Sequence, residues 1–302
     1  MSLDFFQKLS EIAGDAPHCK NEPMSRHTTF RVGGPAEYFV RPDTKQLPDI
    51  LKLCRQCGIP SYIIGNGSNL LVGDSGMDGL VIEMGADEAE ITIKDTVMAV
   101  PAGVLLTKAA NAAAEAALGG MEFAAGIPGT VGGAVTMNAG AYGSEMKDIV
   151  SSVTVLDAFG TEKRIPAEEM AFGYRASCIP ANHYIVVSAD LKLYSSDREK
   201  ILARMGELRK RRMEKQPLEF PSAGSTFKRP NGYYAGKLIM DAGLSGYRVG
   251  GAMVSEKHCG FVINADGATA CEIRQLMADV IQKVEQAFHV TLEPEVKIIG
   301  KF

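Results

Sequence analysis

Hydrophobic residues recur along this chain with two periods, close to two residues in some segments and close to 3.6 in others. The strand-like segments are residues 61–64, 80–84, 91–100, 150–158, 184–194 and 290–299. The first two predict buried strands on either side of a glycine-rich loop, and Pro294 interrupts the last one. Because helical segments separate these strands, the pattern predicts a mixed α and β protein.

Three segments carry the period of an amphipathic helix. Residues 105–118 are rich in alanine, and Gly119 with Gly120 is predicted to end that helix. Residues 196–215 predict a charged helix with a thin apolar stripe, formed by Ile201, Met205, Leu208 and Met213. A capping box at Thr269 and Glu272 begins the last helix, whose apolar positions are Ile273, Leu276, Met277, Val280, Ile281, Val284 and Phe288. The shift to a charged composition predicts a domain boundary near residue 197.

The composition is that of a soluble globular protein. Of 302 residues, 46% are hydrophobic and 23% are charged, which is enough apolar material for a sizeable core and excludes disorder. The net charge of −4 lacks the basic footprint of a nucleic-acid-binding protein. The first residues lack the apolar centre of a signal peptide, and no uncharged apolar run reaches the roughly 18 residues of a membrane span. We therefore expect a cytoplasmic protein with no membrane partner, no nucleic-acid partner and no obligate protein partner.

The spacing of cysteines and histidines predicts neither a disulfide scaffold nor a metal site. Six cysteines are too few for a disulfide-stabilised fold of this length. Cys54 and Cys57 form a lone C-x-x-C with no second pair to complete a zinc site, and we interpret them as two buried thiols on a helix. The five histidines lie far apart in the sequence. No metal is expected.

Glycines cluster at residues 65–70 and 119–143. The first cluster begins like a dinucleotide-binding fingerprint, but Leu70 stands where the third glycine is needed, so that motif is absent. Backbone N–H groups in such loops can still approach an anion closely. The side chains interleaved with them are hydrogen-bond donors, namely Asn66, Ser68, Asn69, Thr130 and Asn138. This combination favours a large ligand with phosphates at its centre, and tight turns with close packing are the alternative.

Several motifs in a fixed order resemble those of the UDP-N-acetylenolpyruvoylglucosamine reductases. In the N-terminal half they are Gly65-Asn66-Gly67-Ser68-Asn69-Leu70, Gly126-Ile127-Pro128-Gly129-Thr130-Val131-Gly132-Gly133 and Asn138-Ala139-Gly140-Ala141-Tyr142-Gly143. In the C-terminal half they are residues 223–228, 246–251, 261–264 and 292–296. The resemblance spans residues 20–302 and is to the shorter form of these enzymes, in which a substrate-capping loop of the longer form is missing.

The resemblance implies an α+β fold related to that of vanillyl-alcohol oxidase. Residues 20–197 would form an FAD-binding domain of two subdomains, split near residue 100, and residues 198–302 would form a substrate-binding domain. FAD would be bound without a covalent link, although His27 offers a possible attachment point. The implied cofactor contacts are Gly65, Asn66, Gly67, Ser68, Asn69, Leu70, Gly126, Ile127, Pro128, Gly129, Thr130, Gly132, Gly133, Asn138, Ala139, Gly140 and Ala141.

The reaction that the resemblance implies is the NADPH-dependent reduction of the enolpyruvyl ether of UDP-N-acetylglucosamine to UDP-N-acetylmuramate, a step of peptidoglycan precursor synthesis. Hydride from flavin N5 would add to the terminal carbon, and the adjacent carbon would share negative charge with the carboxylate. Such a site needs positive charge at the carboxylate and a proton donor at the carbon. By motif, Arg175 would stabilise the carboxylate, Ser225 would deliver the proton, and Glu295 would lie with the arginine at the enolic oxygens.

Five further residues match substrate-binding positions of the family: Tyr174, Arg211, Lys215, Arg229 and His258. Arg211 and Lys215 would hold the diphosphate of the nucleotide sugar, and the same residues could serve the diphosphate of NADPH. Many relatives have asparagine where this chain has Arg229, so we expect an altered substrate contact at that position.

Three other functions remain open from the residues. The same fold could serve an FAD-dependent oxidase or dehydrogenase of another substrate. The basic cluster at residues 209–212, with Lys215, could bind a nucleotide or RNA, although no stacking set of aromatic residues accompanies it. The glycine loops could also bind an anion without catalysis. A visible flavin spectrum would separate the flavoenzymes from the other two.

Overall fold

A computed structural model describes residues 4–85 and 90–302 of the chain. Its α-helices are α1 Phe5–Ala13, α2 Leu47–Cys57, α3 Leu106–Glu115, α4 Val131–Met137, α5 Cys178–Ala181, α6 Arg198–Lys215, α7 Ala235–Asp241 and α8 Ala270–Phe288. Single turns of 3-10 helix lie at Met24–Arg26, Thr44–Gln46, Glu122–Ala124, Met146–Asp148 and Ala167–Glu169.

The strands of the described residues are mostly short. They are β1 His18–Pro23, β2 Pro35–Val40, β3 Ser61–Ile64, β4 Leu70–Val72, β5 Met77–Glu83, β6 Thr92–Lys94, β7 Val97–Pro101, β8 Leu118–Gly119, β9 Gly140–Ala141, β10 Ser144–Glu145, β11 Val150–Leu156, β12 Glu162–Pro166, β13 Ile185–Lys192, β14 Tyr194–Ser195, β15 Arg248–Val249, β16 Ala252–Val254, β17 Val262–Asn264 and β18 Lys297–Ile299. Helices and sheets are thus interspersed, and the α+β class expected from the resemblance is confirmed.

The chain divides into two compact units, each built from several segments. Unit one comprises Met1–Lys20, Tyr38–Asn66 and Gly79–Arg212, and unit two comprises Asn21–Glu37, Gly67–Asp78 and Met213–Phe302. Unit one therefore extends past the boundary predicted near residue 197, because α6 buries Ile201 and Met205 in the core of that unit. Compactness does not report ligand binding, so the assignment of residues 20–197 to FAD and 198–302 to substrate stays a prediction.

Unit one contains two main sheets. The larger is antiparallel with the order β12-β11-β13-β7-β6, and α4 packs against β13 and β7. Strand β11 lies between β12 and β13; Val153 and Val155 are fully buried, and Ser151 and Thr154 are half-buried. The second sheet has the order β1-β2-β5-β3, with β3 parallel to β5, while α1 packs on α2.

Unit two is organised around α8. This helix packs against all three strands of the antiparallel sheet β15-β16-β17 and against α7. Its predicted capping box is confirmed, since the Thr269 side chain accepts the Glu272 N–H and the Glu272 side chain accepts the Thr269 N–H. Strand β18 pairs in parallel with β4, so that the end of the chain lies beside the segment that follows Gly67-Ser68-Asn69.

Turn residues account for two corrections to the predicted elements. The helix expected over residues 105–118 ends at Glu115, because Ala117 adopts the left-handed φ of 55° that glycine was expected to supply. Gly119 instead pairs with Tyr194 in the β8–β14 ladder. The single strand expected over residues 91–100 is a hairpin of β6 and β7, which turns at Asp95 with φ 54°.

Two helical side chains that the sequence predicts to be buried are exposed. Met213 was assigned to the apolar stripe of α6, but its side chain is 56% exposed. Cys57 is also exposed, and only Cys54 of the C-x-x-C pair is buried. Burial and the neighbouring Cys57 raise the pKa of Cys54 to about 11, so this thiol remains protonated at neutral pH. No helix in residues 4–85 and 90–302 is long and apolar enough to cross a membrane.

Candidate active site

In unit one, the start of the first glycine loop lies against the second. The Asn66 Nδ2 donates a hydrogen bond of 2.6 Å to the Pro128 carbonyl oxygen. A side chain on Gly65 would collide with the Thr130 hydroxyl, so glycine is required there by close approach. The structure therefore brings together two predicted cofactor-binding segments that are separated by some 60 residues in the sequence.

Packing of the protein on itself explains several of these glycines. A Cβ atom on Gly132 would lie 2.8 Å from the Cβ of Ala102, and one on Gly140 would lie 2.6 Å from the Cβ of Glu145. In unit two, Gly67 has φ 58° and a Cβ there would overlap the His27 carbonyl. Close packing within the protein thus explains why these three positions are glycine. If these loops bind a ligand, they would do so through their backbone N–H groups.

Some of these N–H groups make no hydrogen bond within the part of the chain that the structure describes. They belong to Asn66 and Gly126 in unit one and to Gly67 and Ser68 in unit two. Free backbone donors next to residues without side chains suit the oxygens of a phosphate group. The donor chemistry of both segments therefore fits a cofactor with a diphosphate, such as FAD.

Asn138 has a structural role in unit one. Its side chain is fully buried, its Nδ2 donates to the Gly173 carbonyl at 2.9 Å, and its Oδ1 accepts the Lys147 N–H at 2.9 Å. The residue also adopts φ 43° at the end of α4, where asparagine is tolerated better than most residues. Both ends of the side-chain amide thus make hydrogen bonds inside the protein, and the contact of Asn138 with a cofactor stays a prediction.

The bond from Asn138 anchors the turn that carries Arg175. Gly173 and Ala176 exchange backbone hydrogen bonds of 3.0 and 3.3 Å, with Tyr174 and Arg175 between them. Arg175 has φ 54°, a left-handed conformation that costs a residue with a side chain about 1–3 kcal/mol. Its guanidinium carbon lies 5.1 Å from the centre of the Tyr174 ring. Strain of this kind persists only where the surroundings hold it, which favours a functional reason for placing Arg175 here.

In unit two, Ser225 lies in a segment fixed from both sides. The next residue, Thr226, is fully buried; its N–H donates to the Gly260 carbonyl at 2.9 Å and its hydroxyl accepts the Val262 N–H at 2.9 Å. Ser225 itself is exposed and follows Gly224, whose φ of 74° turns the chain. A reactive hydroxyl on such a rigid turn can be presented to a ligand.

The segment of Glu295 lies directly beside that of Ser225. The Glu295 N–H donates to the Thr226 carbonyl at 2.8 Å, and Phe227 forms a bridge with Pro294. The Asn69 Nδ2 donates to the Glu295 carbonyl at 3.1 Å, which attaches the second half of the first glycine loop to the same place. Unit two therefore brings together three predicted segments that lie far apart in the sequence.

The remaining predicted substrate residues of unit two differ in exposure. His258 is half-buried, burial lowers its pKa, and its Nδ1 accepts the Gly260 N–H at 3.1 Å, so its ring is neutral at pH 7. Since the Gly260 carbonyl also accepts the Thr226 N–H, His258 is connected to the Ser225 segment through Gly260. Arg229 is exposed and stacks with its guanidinium carbon 4.0 Å from the centre of the Tyr234 ring.

The basic cluster on α6 faces in two directions. Arg211, predicted to bind a diphosphate, is exposed and forms an ion pair of 2.6 Å with Glu207, and Lys215 is exposed in unit two. Arg212, which the sequence reasoning did not select, is half-buried in unit one. The spacing of Ile201, Met205 and Leu208 would have shown that Arg212 continues the buried stripe.

The predicted catalytic residues are thus divided between the units, with Arg175 in unit one and Ser225 and Glu295 in unit two. The proximity of the Ser225 and Glu295 segments is observed within unit two. Convergence of Arg175 with them stays a prediction.

Comparison with known proteins defines first the class and then the family. Residues 36–165 match the family model of an FAD binding domain. Residues 216–299 match that of the C-terminal domain of UDP-N-acetylenolpyruvoylglucosamine reductase. A Phl p 4 variant described as a glucose dehydrogenase, 16% identical, aligns over 65% of this chain and 45% of its own with a TM-score of 0.50, which shows the fold alone. The chain is therefore a flavoprotein oxidoreductase that uses FAD, as expected.

Relatives covering the whole chain identify the family. The UDP-N-acetylenolpyruvoylglucosamine reductase of Agathobacter rectalis is 49% identical, with 100% of both chains covered. That of Clostridium botulinum strain Okra is 48% identical over 99% of this chain and 97% of its own length. The crystal structure of the enzyme from Thermus caldophilus covers 94% of this chain and 98% of its own, with 37% identity and a TM-score of 0.78. The chain belongs to the UDP-N-acetylenolpyruvoylglucosamine reductase family.

Proposed function

We propose that this chain reduces the enolpyruvyl ether of UDP-N-acetylglucosamine to UDP-N-acetylmuramate with NADPH, for peptidoglycan precursor synthesis in the cytoplasm. The carbon–carbon double bond gains a hydride at its terminal carbon and a proton at the adjacent carbon, while NADPH becomes NADP⁺. The observation that carries the proposal is the pairing of the Ser225 and Glu295 segments through Thr226, in a chain 49% identical over its whole length to a reductase of that name.

When bound, FAD supplies the redox chemistry by which hydride passes from NADPH to the substrate. The residues that would hold it without a covalent bond are those of the two glycine loops, through the N–H groups of Asn66, Gly67, Ser68 and Gly126. Two of these donors belong to glycines, whose lack of a side chain lets a phosphate group approach the backbone.

Ser225 is the proposed proton donor. The buried Thr226 holds the backbone next to Ser225 through four hydrogen bonds. A hydroxyl carried on such a fixed backbone can protonate the developing carbanionic carbon with little rearrangement of the chain. Its exposure leaves room for a substrate to reach it.

Arg175 and Glu295 are proposed to act on the carboxylate and the enolic oxygens of the substrate. The guanidinium fork of arginine matches a planar carboxylate, so Arg175 would stabilise the charge that the carboxylate takes up. The Glu295 side chain would act on the enolic oxygens, since its segment lies beside that of Ser225. Tyr174, Arg211, Lys215, Arg229 and His258 are proposed to contact the remainder of the substrate.

The proposal is tested by separating the two half-reactions of the FAD-loaded protein under anaerobic conditions. In Ser225→Ala, NADPH should still bleach the flavin at the wild-type rate, but the enolpyruvyl sugar should no longer restore its colour. Ser222→Ala, three residues earlier in the same segment, serves as the matched control and should behave as wild type.

Two results would contradict the proposal. Restoration of the flavin colour by the enolpyruvyl sugar in Ser225→Ala at the wild-type rate would exclude this residue as the proton donor. Recovery of flavin colour in air as fast as with the enolpyruvyl sugar would instead favour an oxidase of the same fold.

A further inference from the structure

The buried stripe of α6 ends in a charged residue. Ile201, Met205 and Leu208 are buried on one face of this helix, and Arg212 continues their spacing of three and four residues. The neighbouring Arg209, Lys210 and Arg211 are exposed. Of the four basic residues at 209–212, Arg212 is therefore half-buried and the other three are exposed to solvent.

The surroundings of Arg212 in unit one are a glycine loop and a tyrosine. A Cβ atom on Gly126 would lie 3.0 Å from Arg212 Cδ and 3.5 Å from its Nη1, so the guanidinium lies against the start of the second glycine loop. The Tyr142 hydroxyl donates to the Leu208 carbonyl at 3.2 Å, which holds residues 138–143 against the same helix. Glycine at position 126 leaves the space that the arginine side chain occupies.

Arg212 makes no ion pair and no side-chain hydrogen bond with the residues that the structure describes. By contrast, Arg204 and Arg211 on the same helix each pair with Glu207. Burial lowers the pKa of Arg212 and the nearby Tyr142 opposes that shift, yet arginine remains protonated in proteins. A cation that is half-buried without an anion beside it loses part of its hydration, and an anionic ligand would offset that cost.

We propose that Arg212 binds the diphosphate of FAD at the start of the second glycine loop, together with the adjacent Gly126 N–H. This inference rests on the proposed function, because it assigns a residue to the cofactor of that reaction. FAD is favoured over the other diphosphates because Gly126 and Tyr142 both lie in residues 36–165, which match an FAD binding domain. The diphosphates of NADPH and of the nucleotide sugar are the alternative sources of the anion.

The test uses flavin-free protein titrated with FAD and, separately, with riboflavin, which has no diphosphate. Arg212→Gln should weaken FAD binding about tenfold or more, since charge-assisted hydrogen bonds to phosphate are lost. Its riboflavin affinity should equal that of wild type. Arg209→Gln removes the same charge from an exposed position of α6 and should leave both affinities within about twofold of wild type.

Thermal unfolding of the flavin-free proteins separates binding from structure. Arg212→Gln should melt no lower than wild type, because the substitution removes a half-buried charge that has no ion-pair partner among the described residues. A lower melting temperature together with weaker riboflavin binding would overturn the proposal and assign Arg212 to folding.

A third comparison distinguishes the source of the diphosphate. In FAD-loaded Arg212→Gln, the affinities for NADPH and for uridine diphosphate should match those of wild type. Weaker binding of either ligand with unchanged FAD affinity would also overturn the assignment. An unchanged FAD affinity in Arg212→Gln would overturn the assignment of Arg212 alone. If the wild-type protein failed to bind FAD at all, the proposed function itself would fail.

Discussion

Asn138 offers a sharp test of how unit one positions Arg175. Asn138→Ala removes a fully buried amide that donates to the Gly173 carbonyl and accepts the Lys147 N–H. A buried polar group left without its partner costs about 1–3 kcal/mol. The Gly173 carbonyl keeps its bond from the Ala176 N–H and the exposed Lys147 N–H can reach water, so both losses lie at the lower end. Alanine at φ 43° adds about 1 kcal/mol. We expect a total loss of about 3 kcal/mol in the free energy of unfolding.

Urea unfolding of the flavin-free protein, followed by circular dichroism because the chain has no tryptophan, measures this loss. Asn138→Gly should recover about 1 kcal/mol relative to alanine, since glycine adopts a positive φ without strain. Asn182→Ala is the matched control: its amide donates to the Cys178 carbonyl at 2.9 Å at an exposed site, and its loss should stay below about 0.5 kcal/mol.

The functional consequence follows from the anchored turn. Without the bond to Gly173, the turn that carries Arg175 is less well held, and kcat should fall roughly tenfold to a hundredfold, as misplacement of a catalytic group by about 1 Å can do. If Asn138→Ala unfolds like the control but binds FAD more weakly, Asn138 contacts the cofactor and the structural interpretation is wrong.

Partial burial raises the pKa of Asp74, but the amide hydrogen bonds from the first two residues of α8 and a thiol hydrogen bond outweigh it, so the pKa is lowered. Its stabilisation is therefore present above the unfolded pKa of about 3.9 and lost as the pH falls through the folded value. Because solvent screens this exposed carboxylate, Asp74→Asn should lose only about 0.5 kcal/mol at pH 7 relative to Asp266→Asn, with the difference vanishing in acid. Dithionitrobenzoate should label the exposed Cys57 rapidly at pH 8 and Cys54 only on unfolding, and equal rates would contradict the burial. Thr269→Ala should cost about 0.5–2 kcal/mol in urea unfolding, and an unchanged midpoint would remove the capping box as a source of stability.

Local chemistry made some elements of this fold predictable. The capping box and 3.6-residue period of α8 depend on neighbours within one helix, so they could be predicted from residues 269–288 alone. The helix end at Glu115 could not, because Ala117 adopts its positive φ where Leu118 and Gly119 pair with β14. The helix propensity of the alanine-rich segment favours a longer helix, but Leu118 and Gly119 pair with β14 instead.

The same distinction applies to the candidate site. The motifs around Ser225 and Glu295 were recognisable in the sequence. Their proximity depends on the hydrogen bond from the Glu295 N–H to the Thr226 carbonyl, which joins residues 69 positions apart. Asn138 was predicted to contact a cofactor because its residue type allows it. Its burial and its two internal hydrogen bonds are properties of the folded chain that the residue type alone does not give.

By itself, the sequence determined the class of protein, the glycine-rich segments and the residue types of the reaction, because these are written in the order of residues along the chain. The tertiary structure decided which polar groups are already satisfied inside the protein and which retain a donor for a ligand. Arg212 and Arg211 are adjacent and both basic, yet one faces the glycine loop and the other pairs with Glu207 in solvent. Only the packing of α6 against unit one distinguishes them, since hydrogen bonding and burial are properties of the folded chain.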